Sequence, residues 1–249
     1  MGTRFKTIVI SDTHIGSKWS HLAEVTAFLK ENTSELLILN GDIIDGWHLM
    51  RNRKRWKKSY NDFMTLMLDI QKRNTQIIYL RGNHDDFLDN VVPFKYENFS
   101  IVKSFIYESF GNRYYVFHGD LFDDVTSKIR WASKVGDKLY SFLLQINRYY
   151  NDHRRRHGKE YFSISKVMKN KVKNFVSSFS KFDSKIEGIA RKNNCSGVIA
   201  GHIHQAEIRD INGITYLNSG DWIESLTALT EDLEGQWNIY QYKKGDTRN

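Results

Sequence analysis

Five apolar runs in this chain each end in residues that bind metal ions or move protons. "TIVISD" (7–12) leads to Thr13 and His14, and "ELLILNGD" (35–42) reaches Asp42 with Asp45 just beyond. "TQIIYLRGN" (75–83) runs into His84, Asp85 and Asp86. Later, "NRYYVFHGD" delivers His118 and Asp120, and "SGVIAGH" delivers His202, followed by His204. Between the first three runs the periodicity is helical. Leu22, Val25, Phe28 and Leu29 share one face, as do Tyr60, Phe63, Met64, Met67 and Ile70, with Ser59 as the expected N-cap. This β-α-β-α-β order predicts parallel strands with helices outside the sheet. The carboxyl ends of such strands converge on one crevice. The five endings are expected to meet there.

Taken singly, each ending has an ordinary explanation. Asp after Gly is commonly a turn or cap residue, and a lone His at a strand end is usually a surface group. Five together read as a converging set of titratable groups. Asp12/His14 and His202/His204 are each spaced by two, so in extended backbone both members of a pair face the same way. Asp12, His14, Asp42, Asn83, His118, His202 and His204 make seven candidate ligands, too many for one tetrahedral zinc. Carboxylates, an amide and imidazoles without a thiolate suit Mn²⁺, Fe or Zn²⁺ in a paired site. A carboxylate bridging two ions roughly 3.5–4 Å apart lets them clamp an in-line displacement at phosphorus.

The blocks "SDTHIG", "NGDIID", "GNHDD", "HGD" and "GHIH" stand in that order from Asp12 to His204. In this they resemble the five motif blocks of the calcineurin-like metallophosphoesterases. The resemblance implies an α/β fold, a two-sheet αββα sandwich flanked by helices. It implies two divalent ions, Mn²⁺ ahead of Fe or Zn²⁺. One ion would take Asp12, His14, Asp42 and His204, and the other Asp42, Asn83, His118 and His202, with Asp42 bridging. His84 would then donate a hydrogen bond or proton to a phosphate or leaving-group oxygen, and Asp85 would hold its tautomer. Asp86 is read as an ordinary helix N-cap.

The formal net charge of +8 is concentrated between 126 and 190, where fifteen Lys and Arg face five Asp and Glu. That bias points to an anionic partner, either a nucleic acid or a membrane surface or substrate. The same stretch is wholly helical in pattern. Leu139, Phe142, Leu143, Ile146 and Tyr150 form one stripe, and Ile164 through Ile186 form another, nearly a heptad seam. A core of 1–125 and 193–249, interrupted by a basic helical cap at 126–192, is the expected organisation. After the cap, "AEIRDINGITYLNSGDW" should contain a hairpin turned at Asn212-Gly213.

"NGDIIDGW", "HGDLFD" and "NSGDWIESLTAL" are similar to the branch containing UDP-2,3-diacylglucosamine hydrolases. These enzymes cut a pyrophosphate to release lipid X and UMP in lipid A synthesis, and they place a helical cap between the fourth and fifth blocks. At His84 this chain departs from that branch, whose best-known members carry Arg. The resemblance implies a lipid-linked nucleotide substrate. Asn83 is expected to contact it, and the triplet Arg154-Arg155-Arg156, between two His, can hold phosphate bidentately. "RNRKRWKK" (51–58) is a second basic patch, suited to phosphate or an anionic membrane. The competing reading is a phosphodiesterase or nuclease, with Trp56, Tyr60 and Tyr149 stacking bases.

The start of the chain lacks a secretory pattern, and Lys6 stands where a myristoylation signal needs Ser or Thr. No run of about 18 apolar residues is present. Cys195 alone can form no internal disulfide. A cytoplasmic protein, peripheral at the inner membrane, is expected.

Overall fold

The structure is a computed structural model that describes residues 2–51, 56–122 and 180–243. The chain divides into two compact units, Met1–Leu121 with Ile186–Asn249, and Phe122–Lys185. Of the second unit, Phe122 and residues 180–185 are described, and the rings of Phe122 and Phe182 meet edge-on at 5.8 Å. Residues 180–192 are helical. The helical stripes expected up to 179, Arg154-Arg155-Arg156, Tyr149 and the basic residues of 52–55 lie outside the described residues.

The first unit holds two mixed sheets. One has seven strands, whose neighbours run β12 (Trp237–Gln241), β11 (Thr227–Glu231), β1 (Arg4–Ile10), β2 (Thr33–Asn40), β3 (Gln76–Leu80), β5 (Phe99–Val102) and β4 (Phe94–Tyr96). The other has five: β6 (Ser104–Ser109), β7 (Asn112–Phe117), β8 (Gly197–Ala200), β10 (Ile214–Asn218) and β9 (Glu207–Ile211). β1, β2, β3 and β5 are parallel, with Val9 opposite Ile38 and Ile38 opposite Ile78. β7, β8 and β10 are parallel in the second sheet.

Alternation along the strands builds two cores from continuous apolar runs. Ile8, Ile10, Leu37, Leu39 and Ile77 face α1 (Leu22–Glu31) and α3 (Lys58–Lys72), which bury Val25, Phe28, Phe63 and Ile70 against them. Val9, Leu36, Ile38, Ile78 and Leu80 face the other way, onto Tyr107, Val116, Ile199 and Leu217 of the second sheet. A strand buried on both faces has no polar side to show, so its sequence reads as an unbroken apolar stretch.

Two cap expectations change, and one apolar stretch divides. α3 starts at Lys58 after Lys57, with no side-chain cap, so Ser59 sits inside its first turn. "SIVKSFIYES" (100–109) supplies two strands. It breaks at Lys103, β5 staying in the first sheet and β6 crossing to the second. Asp86 does not cap a helix, because its carboxylate accepts from the Trp47 indole N–H at 2.9 Å. The hairpin does turn at Asn212-Gly213. Ile211 pairs with Ile214, and both turn residues have positive φ, +53° and +81°, as a type I′ turn requires.

Between the sheets, buried Glu231 on β11 accepts hydrogen bonds from Thr7 on β1 and from Tyr107 and Ser109 on β6. Lys6 Nζ donates to Ser109 Oγ at 2.7 Å. One carboxylate thus ties the two layers together.

Candidate metal centre

The endings of β1, β2, β3, β7 and β8 form one contiguous hydrogen-bonded cluster. Backbone bonds lace the loops to one another: Asp12 N–H to the Gly41 carbonyl at 3.1 Å, His14 N–H to that of Asp42 at 2.9 Å, and Gly201 N–H to that of His118 at 2.8 Å. The Trp222 N–H adds the segment before β11, bonding the Asp12 carbonyl at 3.2 Å.

Each buried carboxylate is pinned through one oxygen. Asp12 Oδ2 accepts from the His202 N–H at 2.9 Å, and Asp42 Oδ1 accepts from the His84 N–H at 2.8 Å. The remaining oxygens face imidazoles. Asp12 Oδ1 lies 3.2 Å from His204 Nε2 and 3.9 Å from His14 Nε2. Asp42 Oδ2 lies 3.3 Å from His118 Nε2 and 3.8 Å from His14 Nε2. Asp12, His14 and His204 make one group with ligand atoms within reach of a common ion, and Asp42, His118 and His202 make another. Asp42 Oδ2 stands between the two.

Local backbone explains the convergence, though by a different route from extended pairs. Asp12, His14, Asp42, His202 and His204 all have φ between +45° and +67°. Left-handed backbone is uncommon for such residues and costs about 1–3 kcal/mol each, a strain typical of functional sites. The strands end before these residues, and left-handed turns, not a two-residue period, aim the side chains. Gly41, at φ +83°, is required by that backbone and by a close approach. A Cβ there would lie 2.3 Å from His118 Nδ1.

Metal ligation is supported by what the ligand atoms lack. Among the described residues, Asp12 Oδ1, His14 Nε2, Asn83 Oδ1 and His118 Nε2 are buried with no partner in hydrogen-bonding geometry. Buried polar atoms left unpaired are costly, and four of them on predicted ligands fit a bound cation. The tautomer of His118 suits ligation through Nε2. Its Nδ1 donates to the Asn40 carbonyl at 2.8 Å, leaving Nε2 toward Asp42.

The charges tell the same story. Burial alone would lower the His118 pKa, but Asp42 and Asp12 raise it to about 10. Burial holds the His14 pKa below its ordinary value. Asp12 and Asp42 are both lowered in spite of burial, Asp12 by His204 and Asp42 by His118. Two buried carboxylates thus keep their charge and draw a proton onto His118. A cation there would displace that proton.

Asp85 does not orient His84. Its Oδ1 accepts from the Ile44 N–H at 3.0 Å and the Tyr79 hydroxyl at 2.8 Å, and its Oδ2 from the Ile43 and Gly82 N–H groups at 3.2 and 3.3 Å. Fully buried, it anchors the loop that follows Asp42. Burial and the charge of Asp42 raise its pKa to about 6. The carboxylate beside His84 is Asp45, whose Oδ1 lies 3.3 Å from Nδ1. Burial tends to lower the His84 pKa, yet the hydrogen bond to Asp45 raises it overall. Asp45 Oδ1 also accepts from the His48 N–H at 2.9 Å, as an N-cap does, before α2 (Gly46–Arg51). That cap position was the available signal for Asp45. A cavity of about 540 Å³ lined by Arg4, Glu35 and Arg73 contains none of the seven candidate ligands.

The sequence model of a family described as calcineurin-like phosphoesterase matches residues 5–206. Among curated proteins, none matches the chain. Similar solved structures include a novel archaeal phosphodiesterase, 13% identical over 94% of this chain and 98% of that one, with a TM-score of 0.47. A mutant Vps29 from Entamoeba histolytica is 10% identical, covering 95% and 99%, with a TM-score of 0.43. A predicted phosphoesterase from Streptococcus pneumoniae is 14% identical, covering 95% and 97%, with a TM-score of 0.37. At these identities no substrate is carried across.

Proposed function

The chain belongs to the calcineurin-like phosphoesterase family, and from that premise we propose that it is a two-metal hydrolase of a lipid-linked nucleotide pyrophosphate. The substrate proposed is of the UDP-2,3-diacylglucosamine type, cleaved to lipid X and UMP. The observation that carries the metal chemistry is Asp42 Oδ2, set between His14 and His118.

Asp12, His14, Asp42 and His204 would hold one cation, and Asp42, Asn83, His118 and His202 the other. When bound, such a pair supplies Lewis acidity at the phosphoryl oxygens and lowers the pKa of water in the site. Mn²⁺ is the proposed ion. The protein's own contribution is preorganised. Asp12 and Asp42 are each fixed by a backbone N–H, so their free oxygens need not reorganise as charge develops. His84, kept protonated to higher pH by Asp45 at Nδ1, presents Nε2 as the donor to a phosphoryl or leaving-group oxygen.

The substrate assignment is supported by the sequence around the blocks, "NGDIIDGW", "HGDLFD" and "NSGDWIESLTAL". A basic, aromatic-rich stretch between the fourth and fifth blocks suits an anionic headgroup with acyl chains. Arg154, Arg155 and Arg156 are proposed to hold phosphate, and "RNRKRWKK" to approach an anionic membrane. Among the described residues no helix is long and apolar enough to cross a membrane. The second reading, a phosphodiesterase acting on nucleic acid, is favoured by the same net charge of +8.

One screen separates them. The Mn²⁺-loaded protein is offered UDP-diacylglucosamine, cyclic nucleotides and single-stranded DNA. Release of UMP that depends on the acyl chains supports the lipid reading. Turnover that follows oligonucleotide length and falls with salt replaces it with the nucleic-acid one.

A further inference from the structure

Three consecutive residues, Asp45, Gly46 and Trp47, each touch the loop that carries His84. Asp45 meets the ring at Nδ1. The Gly46 N–H donates to the His84 carbonyl at 3.1 Å. This approach needs glycine, since a Cβ would meet the Phe87 ring at 2.6 Å and the His84 carbonyl oxygen at 2.9 Å. Trp47 covers the imidazole itself, with ring centroids 4.2 Å apart and planes tilted by 35°. The loop answers with Asp86, which accepts from the Trp47 indole N–H at 2.9 Å. On another side of the imidazole the His14 ring meets it edge-on at 4.6 Å.

We propose that Trp47, latched by Asp86, is a positioning residue that holds the His84 imidazole in the orientation its acid role requires. The inference rests on the hydrolase reading for the role of His84. Its physical basis is independent of that reading. The outer torsion of a histidine is broad and roughly two-fold, and one hydrogen bond at 3.3 Å leaves the ring free to rock about it. A flat indole against one face removes that freedom, and an edge contact with His14 limits the rest. Trp47 is itself 40% exposed, and a second bond fixes its plane. Asp86 supplies that bond, which explains why an acidic residue follows Asp85 without capping a helix.

The test uses the full chain loaded with Zn²⁺, which is diamagnetic, and two readouts. The first is kcat and KM for bis(4-nitrophenyl) phosphate. The second is the pair of ring proton resonances of His84, assigned by their loss in His84→Gln. Trp47→Ala is expected to lower kcat roughly tenfold, the scale of one aromatic pair, with KM changed less than about twofold, and to remove the indole's ring-current shift from His84. Trp47→Phe, which keeps an aromatic face but has no N–H for Asp86, should match Asp86→Ala. Asp86→Ala should fall between wild type and Trp47→Ala, and the double variant should be no worse than Trp47→Ala alone. His84 resonances unmoved in Trp47→Ala, or a loss confined to KM, would overturn the proposal. A wild-type protein that hydrolyses no phosphoester would defeat the functional reading instead, and the His84 resonances would then decide this inference alone.

Discussion

His84 Nδ1 lies 3.3 Å from Asp45 Oδ1, while Asp85, its neighbour in sequence, spends both oxygens on Ile43, Ile44, Tyr79 and Gly82. The two carboxylates should therefore fail in different ways. Asp45→Asn is expected to lower kcat by about 10²-fold, within the usual range for a disturbed general acid, while metal content and melting temperature hold. Asp85→Ala is expected to cost roughly 3 kcal/mol of stability, because buried donors lose their acceptor. Steady-state kinetics beside a denaturant titration checks both. Equal kinetic damage from the two would contradict the assignment.

Removing cations should expose the unpaired ligand atoms. Chelation is expected to lower the melting temperature, and a metal at about 100 times its Kd should restore roughly 2.7 kcal/mol. His118→Ala should bind less metal per chain by elemental analysis. An unchanged melting curve after exhaustive chelation would speak against a built metal site.

The raised pKa of His118 makes a pH prediction with a definite sign. In the metal-free protein the imidazole is protonated when folded up to about pH 10, but only to about 6.5 when unfolded. Its contribution to stability is complete below about 6.5 and is lost as pH rises through about 10. Metal-free protein should therefore lose stability across that window, and metal-loaded protein should not. Metal uptake near neutral pH should release a proton, visible by calorimetry in buffers of different ionisation enthalpy. No dependence on the buffer would contradict the assignment of that proton.

Glu231 ties the sheets and is not among the seven candidate ligands. Its replacement by Ala removes the acceptor that Thr7, Tyr107 and Ser109 share, leaving Thr7 and Tyr107 only each other, at a cost of about 3 kcal/mol. Metal stoichiometry should remain that of wild type. A denaturation midpoint equal to wild type would show that this link contributes nothing.

The strands and the meeting of their ends were legible because burial on both faces leaves an uninterrupted apolar run, as at Leu36 to Leu39. The positions at which ligands accumulate then follow from parallel topology. What could not be read was direction. Asp12, His14, His202 and His204 leave the extended conformation, so their shared facing comes from left-handed turns that a two-residue spacing does not reveal. Adjacency likewise suggested Asp85 for His84, whereas the fold turns Asp85 inward and brings Asp45 across from another loop. The division of 100–109 between two sheets turns on one residue, Lys103, in a stretch whose composition is uniform. The aromatic cover of His84 by Trp47 depends on two loops meeting at Gly46, which no local pattern in either loop announces.

The most direct measurement is an anomalous-scattering map from crystals grown with Mn²⁺. Two peaks roughly 3.5–4 Å apart, one beside Asp12, His14 and His204, the other beside Asn83, His118 and His202, with Asp42 touching both, is the expected result. A single peak, or peaks that leave Asp42 out, would contradict the two-cation account.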